Sequence, residues 1–226
     1  MMELRFDKRI NIFCGHYGSG KSEISVNSAV SVKSAYDDVL LVDLDIVNPF
    51  FRSLDAKNKL ESLGISVIAP EFANTNVDVP VIGPEIAAAL RNQNRRVILD
   101  VGGDEDGARV LGRYFFDIPQ QDYDMFFVFN RSRPMTRDLS ETIEYINEIQ
   151  LASRLKITRL INNTHYLGET TPEDVLYGAE LAREISEKTG IPLAASCVMK
   201  GFKHDIASRI DHPLFVLDNH ILMPFK

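Results

Sequence analysis

Eight residues near the start of the chain, Gly15-His16-Tyr17-Gly18-Ser19-Gly20-Lys21-Ser22, fill the pattern G-x-x-x-x-G-K-[ST] at every constrained position. Each residue type has a task in holding a phosphate chain. Glycines let the backbone wrap closely and present its N–H groups as an anion nest. A helix starting near Lys21 would aim the positive end of its dipole at the same charge. Lys21 can reach the terminal phosphates, and the Ser22 hydroxyl can ligate Mg²⁺. Alone, the same letters could be a glycine-rich turn that happens to contain a lysine. The flanks argue otherwise: Arg9–Cys14 reads as a strand, and Lys21–Ala35 as a helix with Val26, Ala29 and Val30 on its inner face.

Carboxylates follow two later apolar runs. Val39–Val42 leads into Asp43-Leu44-Asp45, and the period of two puts both aspartates on one side of a continuing strand. Beside a Mg²⁺–phosphate site, such a pair suits the metal's shell and the orientation of a water. The plainer reading is one solvated loop aspartate and one cap or turn residue. The run Arg96-Val97-Ile98-Leu99-Asp100 has the shape of a Walker B strand, whose acid holds a Mg²⁺-bound water. Gly102 and Gly103 behind it permit backbone approach to a terminal phosphate and a switch movement. Asp104, Glu105 and Asp106 follow; the last two read as solvated loop or as the first turn of the next helix.

Asn162 and Asn163 end a late strand. An amide offers a donor and an acceptor, so Asn163 could read a purine edge while Asn162 is structural; an Asx turn is the plain alternative. Cys197-Val198-Met199 could form another wall of the same pocket. In Asn130-Arg131-Ser132-Arg133-Pro134-Met135-Thr136, Thr136 reads as a helix N-cap. The two arginines there could touch phosphate or a partner, or belong to a solvated loop.

The elements that must position these residues come from the pattern of the whole chain. Short, continuously apolar runs (Arg9–Cys14, Val39–Val42, Ser66–Ala69, Val97–Val101, Met125–Asn130, Ile157–Ile161 and Leu193–Val198) read as strands buried on both faces. Between them, Thr136–Arg154 carries a helical stripe of Leu139, Ile143 and Ile146. Pro172–Thr189 carries Val175, Ala179 and Ala182, capped by Thr171 with Asp174 and ended by Gly190 and Pro192. A further helix starts at Pro84. The alternation predicts an α/β domain over 1–226, a mostly parallel sheet of about seven strands with helices on both faces. Ligands of such sheets bind beyond the carboxyl ends of the strands, where the residues above fall.

Composition narrows the classes. The chain has 226 residues, 45% hydrophobic and 25% charged, with a formal net charge of −7. These values exclude a mainly disordered chain and a disulfide scaffold. The acidic balance argues against nonspecific nucleic-acid binding. Cys14 and Cys197 read as buried free thiols, and the five histidines have no metal-like spacing with them. No secretory leader or bilayer-length apolar stretch is present, so a reducing cytoplasm is expected. The 74–80 segment reads as a polar connector, with a partner or effector loop as the alternative. The tail Phe215–Lys226 holds one lysine and Pro224, which does not suit a membrane anchor.

Together these residues resemble the MinD/ParA/Mrp/nitrogenase-iron-protein group of P-loop ATPases over roughly Ile10 to Met199. Val39–Asp45 is similar to the ParA switch-I strand, Asp45-Ile46 with Pro49 to Mrp-type proteins, and Leu160–Thr164 to the iron-protein strand that ends in a base-reading Asn, here Asn163. The resemblance implies a nucleotide-sandwich dimer that hydrolyses ATP slowly. Asp45 would orient the attacking water, Asp43 and Asp100 would lie in or near the Mg²⁺ shell with Ser22, and Gly103 would sense the γ-phosphate. Those families usually carry a second lysine at the second loop position, reaching the partner's nucleotide. Here that position is His16, and Arg52, Arg131 or Arg133 are candidates to replace its charge. The expected function is a slow ATPase switch acting on an unidentified protein partner. The alternatives are an ATP-sensing module with little turnover, and an ATP-dependent ligase or small-molecule kinase on the same fold.

Overall fold

The structure is a computed structural model, and it describes residues 3–45, 54–69 and 83–218. Arg52, the Asn48-Pro49 turn, the 74–80 segment and the tail beyond 218 lie outside the described residues.

Eight strands are described, all parallel: β1 (Ile10–Cys14), β2 (Val39–Asp43), β3 (Ser66–Ile68), β4 (Arg96–Asp100), β5 (Tyr123–Phe129), β6 (Arg159–Asn162), β7 (Leu193–Met199) and β8 (Leu214–Leu217). Their order in the sheet is β3-β2-β4-β1-β5-β6-β7-β8. The helices are α1 (Lys21–Lys33), α2 (Leu54–Ser62), α3 (Pro84–Arg91), α4 (Glu105–Gly112), α5 (Leu139–Ser153), α6 (Pro172–Thr189) and α7 (Lys203–Ala207). None of the described helices is long and apolar enough to cross a membrane.

The runs are apolar throughout because alternate side chains enter different cores. Ile10, Ile12, Leu40, Val42, Val97, Leu99, Met125 and Phe127 pack on one face with α3 to α6. Phe13, Val39, Leu41, Ile98, Phe126 and Val128 pack on the other with α1 and α2. After β1 the chain builds β2 to β4 on one side, then returns to build β5 to β8 on the other. The carboxyl end of β1 therefore lies at the switch point of the sheet.

The structure adds a strand to the expected seven. Leu214–Leu217 pairs parallel with β7 and overlaps the start of what reads from sequence as the tail Phe215–Lys226. Its run is short, and nothing local separates a four-residue edge strand from a coil that packs. Thr136 is not the cap of α5. It ends a 3₁₀ turn (Pro134–Thr136) and its hydroxyl donates to the Asn130 carbonyl at 2.7 Å, while Asp138 caps the helix by accepting from Glu141 N–H. The buried stripe of α5 is also rotated from the expected one. It runs through Thr142, Tyr145, Ile146 and Ile149, and Ile143 is only half-buried, because α5 packs against α4 and α6. The capping box Thr171–Asp174 and the left-handed Gly190 end α6 as the sequence predicts.

Gly15 turns the chain out of β1 at φ 139°, and a Cβ there would stand 2.0 Å from the Val128 carbonyl oxygen. Gly15→Ala is expected to cost about 3 kcal/mol or more of stability, because it combines a left-handed backbone with a clash against a central strand. Urea denaturation measures this; a midpoint equal to wild type would mean that β5 moves aside freely.

Candidate functional site

The loop from Gly15 to Ser22 leaves β1 and enters α1 at its first turn. Gly15, Gly18 and Gly20 take positive φ, and Ser19 N–H closes a tight turn on the His16 carbonyl at 3.2 Å. Lys21 is 7% exposed and its Nζ donates to the His16 carbonyl at 3.2 Å, so the ammonium lies across the loop. Burial lowers its pKa. The negative charges of Asp100, Asp45, Cys14 (if ionised) and Asp104 act in the opposite sense. Cys14 is in fact held as a thiol, its pKa pushed up to about 12 by burial. Both cysteines are free and buried.

The acids meet at the ends of adjacent strands. Asp43 and Asp100 are register partners in the β2–β4 pair, and both are buried. Asp43 Oδ1 accepts from the Asp45 N–H at 2.9 Å, and Leu44 N–H donates to the Asp100 carbonyl at 2.7 Å. These bonds hold the turn after β2 against β4. Neither carboxylate oxygen of Asp100 has a hydrogen-bond partner. Burial pushes its pKa up to about 6; Lys21 opposes this, as do the nearby hydroxyls of Ser22 and Ser25, and Asp45 adds to it. The two hydroxyls stand close enough to act electrostatically without completing a hydrogen bond, and Ser25 Oγ is itself unpartnered. A buried carboxylate lacking its donors, beside a serine hydroxyl at a phosphate loop, is a hard-oxygen set that fits Mg²⁺. Ser22, Asp43 and Asp100 are the residues that could hold it.

Gly103 approaches the loop so closely that a Cβ would lie 2.7 Å from Tyr17 N and 3.0 Å from Lys21 Nζ. Only glycine fits there. The Gly103 carbonyl accepts from the Tyr145 hydroxyl of α5 at 2.8 Å, and the same ring meets His16 edge-on at a centroid distance of 5.6 Å. Asp104 then caps α4, accepting from Gly107 N–H at 2.8 Å, and Glu105 and Asp106 form its exposed first turn. Tyr145→Phe should keep the ring packing and lose about 1 kcal/mol of stability, the net worth of one hydrogen bond. An unchanged denaturation midpoint would mean that water serves the Gly103 carbonyl equally well.

A cavity of about 350 Å³ opens beside the loop, within the size range of small-molecule sites. Gly20, Asn163 and His165 form its polar side; Val198, Met199 and Phe202 form apolar wall. The end of β7 therefore lines it as the sequence suggests. Asn163 is 6% exposed, and its Nδ2 donates to the Ser19 carbonyl at 2.7 Å, which ties the cavity to the loop. Asn162 is structural: it donates to the Val175 carbonyl and Ser196 Oγ, and accepts from Thr164. His165 Nδ1 donates to the Asn163 carbonyl at 2.7 Å, and burial lowers its pKa.

The two arginines after β5 part company. Arg131 lies over the Tyr177 ring and bonds to the Tyr177 carbonyl and Glu180 on α6. Arg133 turns back and donates from Nε to the Gly18 carbonyl at 3.3 Å. His16 is folded over Tyr145 with a ring nitrogen 3.0 Å from the Tyr17 carbonyl. Tyr17 itself is 65% exposed. Sequence reasoning missed Tyr145, His165 and Ser25. Tyr145 sits one position from Ile146 in a legible helix, but nothing in the chain says that its hydroxyl meets a glycine 42 residues earlier.

The parallel sheet, its strand order and the glycine loop between β1 and α1 define the α/β fold of P-loop NTPases. Solved structures agree. The chain superposes on the cell division protein FtsY of Thermotoga maritima with a TM-score of 0.55 and 18% identity, over 85% of this chain and 63% of that one. It superposes on the signal recognition particle 54 kDa protein of Aeropyrum pernix, solved with GDP, with a TM-score of 0.55 and 18% identity, over 84% of this chain and 42% of that one. The chain spans less than two thirds of either neighbour, and at this identity the likeness is one of fold. No protein-family model matches the sequence, and no curated protein matches it.

Proposed function

We propose that this protein binds Mg²⁺–ATP and works as a slow ATPase switch of the MinD/ParA type, whose nucleotide state governs an unidentified protein partner. One observation carries the reading: Lys21, Asp45, Asp100 and Gly103 converge on one side of a complete phosphate loop. The loop N–H groups and the α1 dipole receive the phosphates. Lys21, drawn across the loop to the His16 carbonyl, exchanges that bond for the terminal phosphates. Ser22, Asp43 and Asp100 would hold Mg²⁺, which would offset phosphate charge. Asp45 orients a water, whose oxygen attacks the γ-phosphorus as the bond to ADP breaks. Gly103, wedged between the loop and Tyr145, registers whether a γ-phosphate is present, and passes that state to α4 and α5.

The test is Mg²⁺–ATP hydrolysis per subunit across a range of protein concentrations, with Lys21→Ala as the blank. A rate that climbs with concentration supports a site completed by dimerisation, and a flat rate a self-contained one. Absence of both binding and turnover refutes the reading. The packing of His16 on Tyr145 favours one other version, a sensor that binds ATP and barely hydrolyses it.

Asn163→Ala removes a bond to the loop and a wall of the cavity together. It should weaken ATP binding by about tenfold and narrow the preference for ATP over GTP. Competition between the two nucleotides measures this; an unaltered preference would move base reading to other cavity residues.

A further inference from the structure

We propose that Arg133 is the second cation of the nucleotide site, a guanidinium that binds the phosphate chain from within the same chain; this rests on the nucleotide-binding reading above.

Its position comes first. The guanidinium lies against the loop: a Cβ on Gly18 would stand 3.0 Å from Nε and 3.2 Å from Cζ. Nε alone is engaged, on the Gly18 carbonyl. The terminal nitrogens make no hydrogen bond among the described residues, and no described carboxylate pairs with Arg133. Arg131, two residues away, shows the contrast, since Glu180 and Tyr177 occupy it on α6. Four N–H donors of Arg133 thus remain available in a planar fork suited to phosphate.

Its support comes second. Arg133 N–H donates to the Asn130 carbonyl at 2.9 Å, and Thr136 N–H donates to the Arg133 carbonyl at 3.2 Å. Asn130 is fully buried; its side chain accepts from Ser132 N–H and donates to the His165 carbonyl. The backbone that carries Arg133 is therefore braced between β5 and the loop after β6. A residue held this way loses little freedom on binding. Its charge also reaches the cavity side of the site, where it disfavours a protonated His165.

The local charge balance comes third. Lys21 is faced by Asp45, Asp100 and Asp104. Among the described residues Asp100 and Asp104 already face this one cation, and a polyphosphate adds several negative charges. A metal ion answers part of this. Arg133 lies against Gly18 of the same loop, with its terminal nitrogens uncommitted among the described residues.

The experiment is titration of Mg²⁺–ATP and Mg²⁺–ADP into wild type, Arg133→Gln and Arg133→Lys over a range of KCl concentrations, with thermal melting as a fold control. Arg133→Gln is expected to weaken ATP at least about tenfold and to flatten the salt dependence, and Arg133→Lys to recover part of both. An equal loss for ADP assigns the contact to the α- and β-phosphates, and a loss confined to ATP assigns it to the γ-phosphate. Unchanged affinity overturns the proposal while wild-type binding leaves the nucleotide reading standing. Weaker binding with an unaltered salt slope and no rescue by lysine also overturns it, since that is the mark of a strut under Gly18. Failure of the wild type to bind either nucleotide overturns both.

Discussion

Lys21→Ala is expected to lower the affinity for Mg²⁺–ATP by about 100-fold or more. The ammonium is buried at the first turn of α1, where its contacts are poorly screened. Removing one partner of a buried, hydrogen-bonded charge pair costs about 2–5 kcal/mol, and every 1.4 kcal/mol is a factor of ten. The variant also removes the cation that acts against the nearby charges of Asp100 and Asp104. Asp100 loses the charge that opposes its protonation, so its pKa should rise further above about 6. The lost attraction acts directly against a polyanion, and protonation of Asp100 relieves only part of it. The loss should therefore exceed that of an exposed lysine, which would be nearer a factor of a few. Calorimetric titration decides it: affinity equal to wild type would remove Lys21 from the phosphate contact.

Asp45→Ala should leave ATP affinity within a factor of about three and reduce single-turnover hydrolysis by about 100-fold or more, the range for a side chain positioned on the attacking water. Asp45 follows the end of β2, half-buried, with its carboxylate over Gly102. Its backbone N–H is tied to Asp43, so the side chain is delivered by a braced turn. It acts on Lys21 through charge and lies outside the phosphate loop itself. A residue in that place bears on the attacking water more than on the bound phosphates. Rapid-quench measurement of the first turnover separates the two steps. Hydrolysis at the wild-type rate would move the water-orienting role to another group.

Legibility differed by element for physical reasons. Most of the seven apolar runs were plain because a strand buried on both faces takes few polar residues at either parity; β3 is the exception, an edge strand with Ser66 exposed. β8 was not, since a four-residue edge strand takes its identity from β7 beside it. The α6 boundaries were plain because Thr171, Asp174, Pro172 and Gly190 solve the ends of that helix locally. The face of α5 was misjudged by about one position. The apolar stripe of a helix that also buries Thr142 and Tyr145 underreports what its neighbours cover.

The sequence by itself determined the parallel α/β architecture, the phosphate loop and the acids that end β2 and β4. Each is written in residues close together, where backbone chemistry is local: glycines for a tight loop, an apolar run for a buried strand, a carboxylate at its end. Only the tertiary structure decided which side chains meet across the sheet. It set Tyr145 on the Gly103 carbonyl, Asn163 on the Ser19 carbonyl and Arg133 on Gly18, and it turned Arg131 away. Those contacts join residues from 42 to 144 positions apart. Their partners are chosen by strand order and helix packing, and no spacing along the chain encodes that choice.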